Sequence, residues 1–418
     1  MFRTFFLLFV NSCLFCAIHL PSPIRSGAAV LMDAETGTVI YEKNGSQVLP
    51  PASITKLATA LYALQFGADL DTKIRATKES LITQTKKVRV EREFSDPPYW
   101  LQSDGTTIYI NEGEFLSLRD LLYADLLCSA NEASNVIANA LAGNIPDFVE
   151  GMNKYLASIG CKNTKFYNPH GIYYPGHVST PYDFAIIARE ALKYPTLRAI
   201  SGELEHTIPK TNRSPIRHIR QSNFLLRPTS KYYYQYASGM KTGVHDEALF
   251  TLVSTAEKEG RQLIAVIFRS PTYSDRYLDS IDLFEAGFAE KKVARVLFSE
   301  GQTFFSPKIK GAKKDVKGVI LQEAQCEYYP SIEPKLDASI RWHDLKMPVK
   351  KGDEIGILDV VDERQGVLKS ISIYADENPK GSFSYYLAFI LKIGFPSLLA
   401  IAALGWWAHR KFGKHLKG

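Results

Sequence analysis

Pro50-Pro51-Ala52-Ser53-Ile54-Thr55-Lys56 closes one extended run, and the residues after it, Leu57 to Phe66, carry apolar side chains at helical spacing. Proline is tolerated where a helix begins, because the first amides have no intrahelical partner, so Ser53 is expected at or within the first turn. Ser53 and Lys56 are three residues apart, which puts both side chains on one helix face. A hydroxyl becomes a nucleophile when a base takes its proton, and an amine desolvated in a pocket can be that base. The helix N-terminus adds partial positive charge beside the reacting atoms. A single Ser-x-x-Lys arises by chance in most chains of this length, so the pattern needs support from elsewhere.

Upstream, Ala28 to Lys43 forms two β-type runs joined by Asp33-Ala34-Glu35-Thr36-Gly37, a hairpin with Gly37 in the turn. Downstream, residues 70 to 112 are polar and turn-rich, with short β-type pieces at Val88-Arg89-Val90 and Thr107-Ile108-Tyr109-Ile110. Helical periodicity returns near Leu116, breaks at Cys128-Ser129-Ala130-Asn131 and resumes from Glu132 to Ala142. Taken alone, helix capping is the simpler account of Ser129 and Asn131. Helices are expected over 146–158, over 180–192 with Thr180 as the cap and Asp183 near the capping-box position, and over 277–288. Asn168-Pro169-His170-Gly171 reads as a turn with His170 structural, and the cluster Tyr232, Tyr233, Tyr234 and Tyr236 as strand packing. Ala248 to Ala256 and Leu263 to Phe268 read as two strands of a buried sheet turning at Glu259-Gly260. Lys241-Thr242-Gly243 then lies on an adjacent strand, where Gly243 lets backbone or ligand approach closely.

A chain of 418 residues, 45% of them hydrophobic, can bury a large core and suggests two or more domains. Of its net charge of +6, Arg410, Lys411, Lys414 and Lys417 supply four at the C-terminal end, so the remainder is near neutral and a nucleic-acid partner is not expected. Residues 1–25 resemble a secretory signal, with Arg3 ahead of apolar runs and Pro21-Ser22-Pro23 at the end. Cys128, Cys161 and Cys326 would remain after its removal, an odd and widely spaced set that implies no disulfide framework. From Val293 to Asp376 β-type runs replace helical patterns, with a turn at Lys350-Lys351-Gly352-Asp353. Tyr385 to Trp407 is long and apolar enough to span a bilayer if Lys392 snorkels, and Trp406-Trp407 beside His409-Arg410-Lys411 fits an interfacial belt with a cytoplasmic tail. The expected organisation is a signal at 1–25, a main α/β domain at 26–290, a β-rich domain at 291–378, a membrane helix at 385–408 and a basic tail at 409–418.

Ser53-x-x-Lys56, Ser129-Ala130-Asn131 and Lys241-Thr242-Gly243 occur in that order, and three ordered matches are far more specific than one. With Asp33 to Gly37, Asn168 to Gly171, Ser179-Thr180 with Asp183, and Gly239-Met240, the chain resembles the penicillin-recognising serine enzymes, and within them the low-molecular-mass D-alanyl-D-alanine carboxypeptidases. The likeness covers about residues 26 to 290, and Pro348-Val349-Lys350-Lys351-Gly352 looks like that family's C-terminal β domain. It implies a β-lactamase/transpeptidase-like domain, an antiparallel sheet with a helical lobe, that removes the terminal D-alanine of peptidoglycan stem pentapeptides and is acylated by penicillin. It also implies roles: Ser53 attacks, Lys56 is the base, Ser129 relays a proton to the leaving amine, Asn131 orients Lys56 and the substrate amide, and Lys241 sets the pocket's electrostatics. The amides of Ser53 and Val244 would hold the oxyanion and Thr242 the substrate carboxylate, with Gly243 beside them. Val244-His245 departs from the family pattern, and a protonated His245 could take over carboxylate recognition.

A DD-endopeptidase, a β-lactamase and a non-turnover penicillin-binding sensor remain alternatives at this level. No His-Glu-x-x-His, Gly-x-Ser-x-Gly or phosphate-binding glycine loop is present, so neither metal nor organic cofactor is expected. The resemblance implies a catalytic domain on the outer side of the inner membrane, in the periplasm, held by the C-terminus.

Overall fold

A computed structural model of the protein describes residues 18–412 apart from 304, 364 and 365, so most of the expected signal segment and residues 413–418 of the tail lie outside the described residues. The chain divides between Lys291 and Lys292 into two compact units.

The first unit is built on a five-stranded sheet whose order is Val39–Lys43, Ala28–Asp33, Arg261–Ser270, Leu249–Lys258, Ala237–His245, with every neighbouring pair antiparallel. Ala28–Asp33 is buried at every position. Its continuous apolar run reflects a strand covered on both faces, since alternate side chains point to opposite sides. On one side Leu31 and Leu263 meet Gly287 of the helix Asp275–Ala289. On the other, Phe268 packs on Phe184 of the helix Pro181–Ala191, with ring centroids 5.7 Å apart. The hairpin turn closes as expected, with Gly37 at φ +73° and Asp33 accepting from the amide of Thr36.

The helical lobe gathers around Thr55–Leu64, which packs on Asn131–Ala142, Ile145–Ser158 and Pro181–Ala191. Two of these neighbours and the helix Leu118–Tyr123 begin on side-chain caps: the oxygens of Asn144, Thr180 and Ser117 accept from the amides of Asp147, Asp183 and Asp120. The helix Leu118–Tyr123 widens over Ala124–Cys128 and stops at Ser129, in left-handed conformation.

Three local expectations are corrected. Val88-Arg89-Val90 lies on a short helix, Lys86–Glu91, because Thr85 caps it through the amide of Val88 while Arg89 turns inward to donate to the Trp100 carbonyl. Thr107 to Ile110 forms no strand; the Ile108 amide donates instead to the Glu132 carboxylate, 2.7 Å away, and Tyr109 takes φ +59°. The tyrosines from 232 to 236 occupy turns, and they pack on the helix Asp275–Ala289 through Tyr232–Tyr277 and Tyr234–Phe284.

The second unit contains a four-stranded antiparallel sheet in the order Gly318–Val319, Gly366–Ala375, Glu354–Asp362, Leu336–Trp342, and a two-stranded sheet of Val293–Phe298 with Ala324–Tyr328. Ile355, Leu358, Val360 and Ile373 form the centre of its core. The helix Phe383–Phe412 contains a 28-residue stretch, Phe383–Arg410, whose most apolar 18-residue window has a mean hydropathy of 2.1, long and apolar enough to cross a membrane.

Asp279 fastens the start of the first strand to the last helix of the first unit. Its buried carboxylate accepts from the amides of Arg25 and Ser26, from the Ser26 hydroxyl at 2.6 Å and from the Arg25 guanidinium at 3.0 Å. Asp279→Ala strands the buried donors of Ser26 and releases the exposed Arg25, so it is expected to cost about 2–4 kcal/mol, read as a lower urea midpoint at unchanged slope.

Candidate active site

Ser53 lies in a single tight turn, Ala52–Ile54, that runs directly into the helix Thr55–Leu64. Two glycines let other segments press against this turn. A Cβ on Gly171, at φ +84°, would fall 2.1 Å from the Ala52 carbonyl oxygen. A Cβ on Gly243 would fall 2.3 Å from Thr251 Oγ1 and 3.0 Å from the Ser53 amide nitrogen. The Asn168–Gly171 turn and the edge strand Ala237–His245 therefore clamp the serine from two directions.

Lys56 is completely buried and its amine has three acceptors: Ser53 Oγ at 3.2 Å, Asn131 Oδ1 at 2.7 Å and the His170 carbonyl at 2.6 Å. Burial lowers its pKa from 10.5 to about 8, with the Asp125 and Glu132 charges pulling the other way. The His170 ring faces away from this chemistry. Its Nδ1 accepts from the Ile172 amide at 3.1 Å, which leaves Nε2 to donate to the Tyr99 carbonyl, and burial together with the nearby Lys56 pushes its pKa well down. It is a structural histidine whose backbone oxygen, not its imidazole, reaches the site.

Ser129 and Asn131 cap nothing. The helix Asn131–Ala142 starts after Ala130 without a side-chain cap, and Asn131 is inside its first turn with its oxygen on Lys56. Capping is thereby corrected: the widened turn at Ala124–Cys128 carries Ser129 out to the cleft instead. Lys241 is also fully buried; burial first, then the charge on Lys56, lowers its pKa, and its amine donates to the Thr242 carbonyl at 3.0 Å. The Thr242 hydroxyl shares a 2.9 Å hydrogen bond with Ser222.

These groups border a cleft of roughly 650 Å³, which Ser53, Ser129, Asn131, Thr242, Gly243 and Val244 line. Lys56 and Lys241 lie beneath its surface. His245 lies at its rim, with Nδ1 accepting from the Ala248 amide at 3.0 Å and 3.1 Å from the Glu247 carboxylate. Burial lowers the pKa of this imidazole, while the Glu247 carboxylate beside it pulls the other way. Arg276, which has no motif around it in the sequence, does bring a cation to the cleft. It donates to the Gly243 carbonyl at 3.1 Å and lies over the Tyr273 ring at 4.5 Å, while its Nε has no partner among the described residues. Only the return of the helix Asp275–Ala289 beside the edge strand reveals it.

Comparison with known proteins agrees with this geometry. The D-alanyl-D-alanine carboxypeptidase family model matches residues 17–272. The chain is 28% identical to the D-alanyl-D-alanine carboxypeptidase DacF of Bacillus subtilis over 86% of this chain and 87% of that one. Its structure is similar to that of penicillin binding protein 5 from Haemophilus influenzae, with a TM-score of 0.58, 25% identity, and coverage of 87% of this chain and all of that one. It is also similar to the Streptomyces K15 DD-transpeptidase, with a TM-score of 0.55 and 26% identity over 64% of this chain and 98% of that one. The match spans well over half of the sequence and contains Ser53, Lys56, Ser129, Asn131 and Lys241, and the chain belongs to the D-alanyl-D-alanine carboxypeptidase family.

Proposed function

We propose that this serine-type carboxypeptidase forms its acyl-enzyme on Ser53 and releases the terminal D-alanine of peptidoglycan stem peptides ending in D-Ala-D-Ala. The observation that carries this is the convergence on Lys56, a buried amine held by Asn131 and the His170 carbonyl within 3.2 Å of the serine oxygen. Neutral Lys56 takes the Ser53 proton as Oγ attacks the carbonyl of the penultimate D-alanine. The tetrahedral oxyanion meets the amides of Ser53 and Val244, a contribution of about 3 kcal/mol per donor. As the carbon–nitrogen bond breaks, the proton passes from Lys56 through Ser129 to the leaving D-alanine amine. Water then hydrolyses the ester. Asn131 also orients the substrate amide, and Lys241 supplies positive potential under the cleft.

The terminal carboxylate of the substrate is negative, and the cation best placed for it is Arg276, with Thr242 and Ser222 as hydroxyl partners; His245, whose Nδ1 is engaged by the Ala248 amide and the Glu247 carboxylate, serves as a wall. A β-lactam carries a carboxylate and an acylating carbonyl in comparable positions, so it is read as an inhibitor acylating Ser53. The apolar N-terminal segment acts as an export signal that ends ahead of Arg25, whose amide and guanidinium are bonded to Asp279, Phe383–Arg410 anchors the protein in the inner membrane, and the catalytic unit works in the periplasm.

Release of D-alanine from a D-Ala-D-Ala peptide and labelling by a fluorescent penicillin should both vanish in Ser53→Ala; release that persists would sink the nucleophile assignment. In the wild type, kcat/KM should rise with pH as Lys56 loses its proton, with the limb near 8, because burial shifts accumulation of the neutral amine down from 10.5. A limb still climbing at pH 10 would remove Lys56 as the base. Arg276→Gln should raise KM at least about tenfold with a smaller change in kcat, whereas His245→Ala should stay within about threefold. The reverse ranking would return carboxylate recognition to His245.

A further inference from the structure

The widened turn Ala124–Cys128, which packs on both the helix of Lys56 and the strand of Lys241, holds a carboxylate that the mechanism above does not use. Asp125 is in the widened turn Ala124–Cys128 and has no solvent exposure. One oxygen accepts from the Ser134 hydroxyl, and the other, Oδ2, has no partner among the described residues. An isolated buried carboxylate is costly unless opposite charge compensates it, and Lys56 and Lys241 are the positive charges that act on it.

The surrounding elements bring further charged groups that are engaged elsewhere. Arg198, Arg217 and Arg220 face Glu257, Glu114 and Glu205, and Asp120 is bonded to His206. Glu132 and Cys128 act on Lys56, and Cys128 and Arg276 on Lys241. Asp125 is thus the carboxylate that acts on both lysines.

The geometry points to Asp125 as a positioning residue, a single buried counter-charge shared by Lys56 and Lys241 that sets the proton affinity of the base. The inference rests on the Ser53/Lys56 reading and goes beyond it. Two buried ammonium groups repel each other, and each lowers the other's proton affinity. A carboxylate acting on both raises it. Burial lifts the pKa of Asp125 itself to about 7, and the charges on Lys56 and Lys241 act against burial to favour its ionised form. The widened turn matters here because it ends the helix in a left-handed residue, sending Ser129 to the cleft while Asp125, four residues earlier, stays in the interior.

The test is the pH dependence of kcat/KM for D-alanine release, and of the second-order rate of penicillin acylation, in the full chain carrying Asp125→Asn or Ser134→Ala. Asn keeps the shape and an oxygen for Ser134 but removes the charge. The rising limb should move to lower pH by at least half a unit in Asp125→Asn. It should move less, in the same direction, in Ser134→Ala, where loss of the donor disfavours the ionised carboxylate. A residue that merely fills space would lower the plateau and leave the limb in place, and an unmoved limb in either active variant overturns the proposal. The Ser53→Ala assay judges the underlying reading separately, because it asks whether turnover occurs at Ser53 and not at which pH it begins.

Discussion

Burial of the Lys56 amine is the constraint on which the rest of the structure depends. An ammonium group taken from water into a protein interior loses several kcal/mol of solvation, and the loss is offset only by acceptors placed around it. Here the acceptors come from three separate parts of the chain: Ser53 one turn away, Asn131 on a neighbouring helix and the carbonyl of His170 in a distant turn. Each is fixed by its own local structure, so the lysine is held by convergence and not by any one segment. The same burial makes the amine a usable base near neutral pH.

Convergence of this kind needs backbones to touch. Gly171 and Gly243 are the positions where side chains would prevent it, one against the Ala52 carbonyl and the other against the Ser53 amide. The edge strand Ala237–His245 can lie against the nucleophile turn because Thr251, on the adjacent strand, donates to the Pro51 carbonyl at 2.9 Å and fixes the spacing. A sheet covered by helices on both faces supplies the rigidity, and its exposed edge supplies the site.

The electrostatics follow from this packing. Two lysines without solvent contact share an interior with Asp125, Glu132 and, at the cleft wall, Arg276. Proton affinities in such a cluster belong to the group and not to any one residue, so a change at one member is felt at the others. His245, at the rim, has its Nδ1 engaged by the Ala248 amide and the Glu247 carboxylate, whose charge offsets any on the imidazole, and this favours the guanidinium for the proposed recognition of negative charge.

The spacing of Ser53 and Lys56, the order of the three motifs, the hairpin at Gly37, the strands that flank Lys241 and the long apolar C-terminal helix were all legible in the sequence, since each depends on a local period or turn residue. The short segments at 88–90 and 107–110 were not, because a few alternating apolar residues suit a strand or a helix equally until caps and tertiary partners decide. Nor could local pattern separate capping from catalysis at Ser129 and Asn131, or distinguish the ring of His170 from its carbonyl. Arg276 and Asp125 carried no signal at all. The sequence by itself determined the chemistry available and the elements that carry it. Only the tertiary structure decided which groups are buried together, because proton affinity and hydrogen-bond partnership are set by neighbours far away along the chain, 114 positions in the case of Lys56 and the His170 carbonyl.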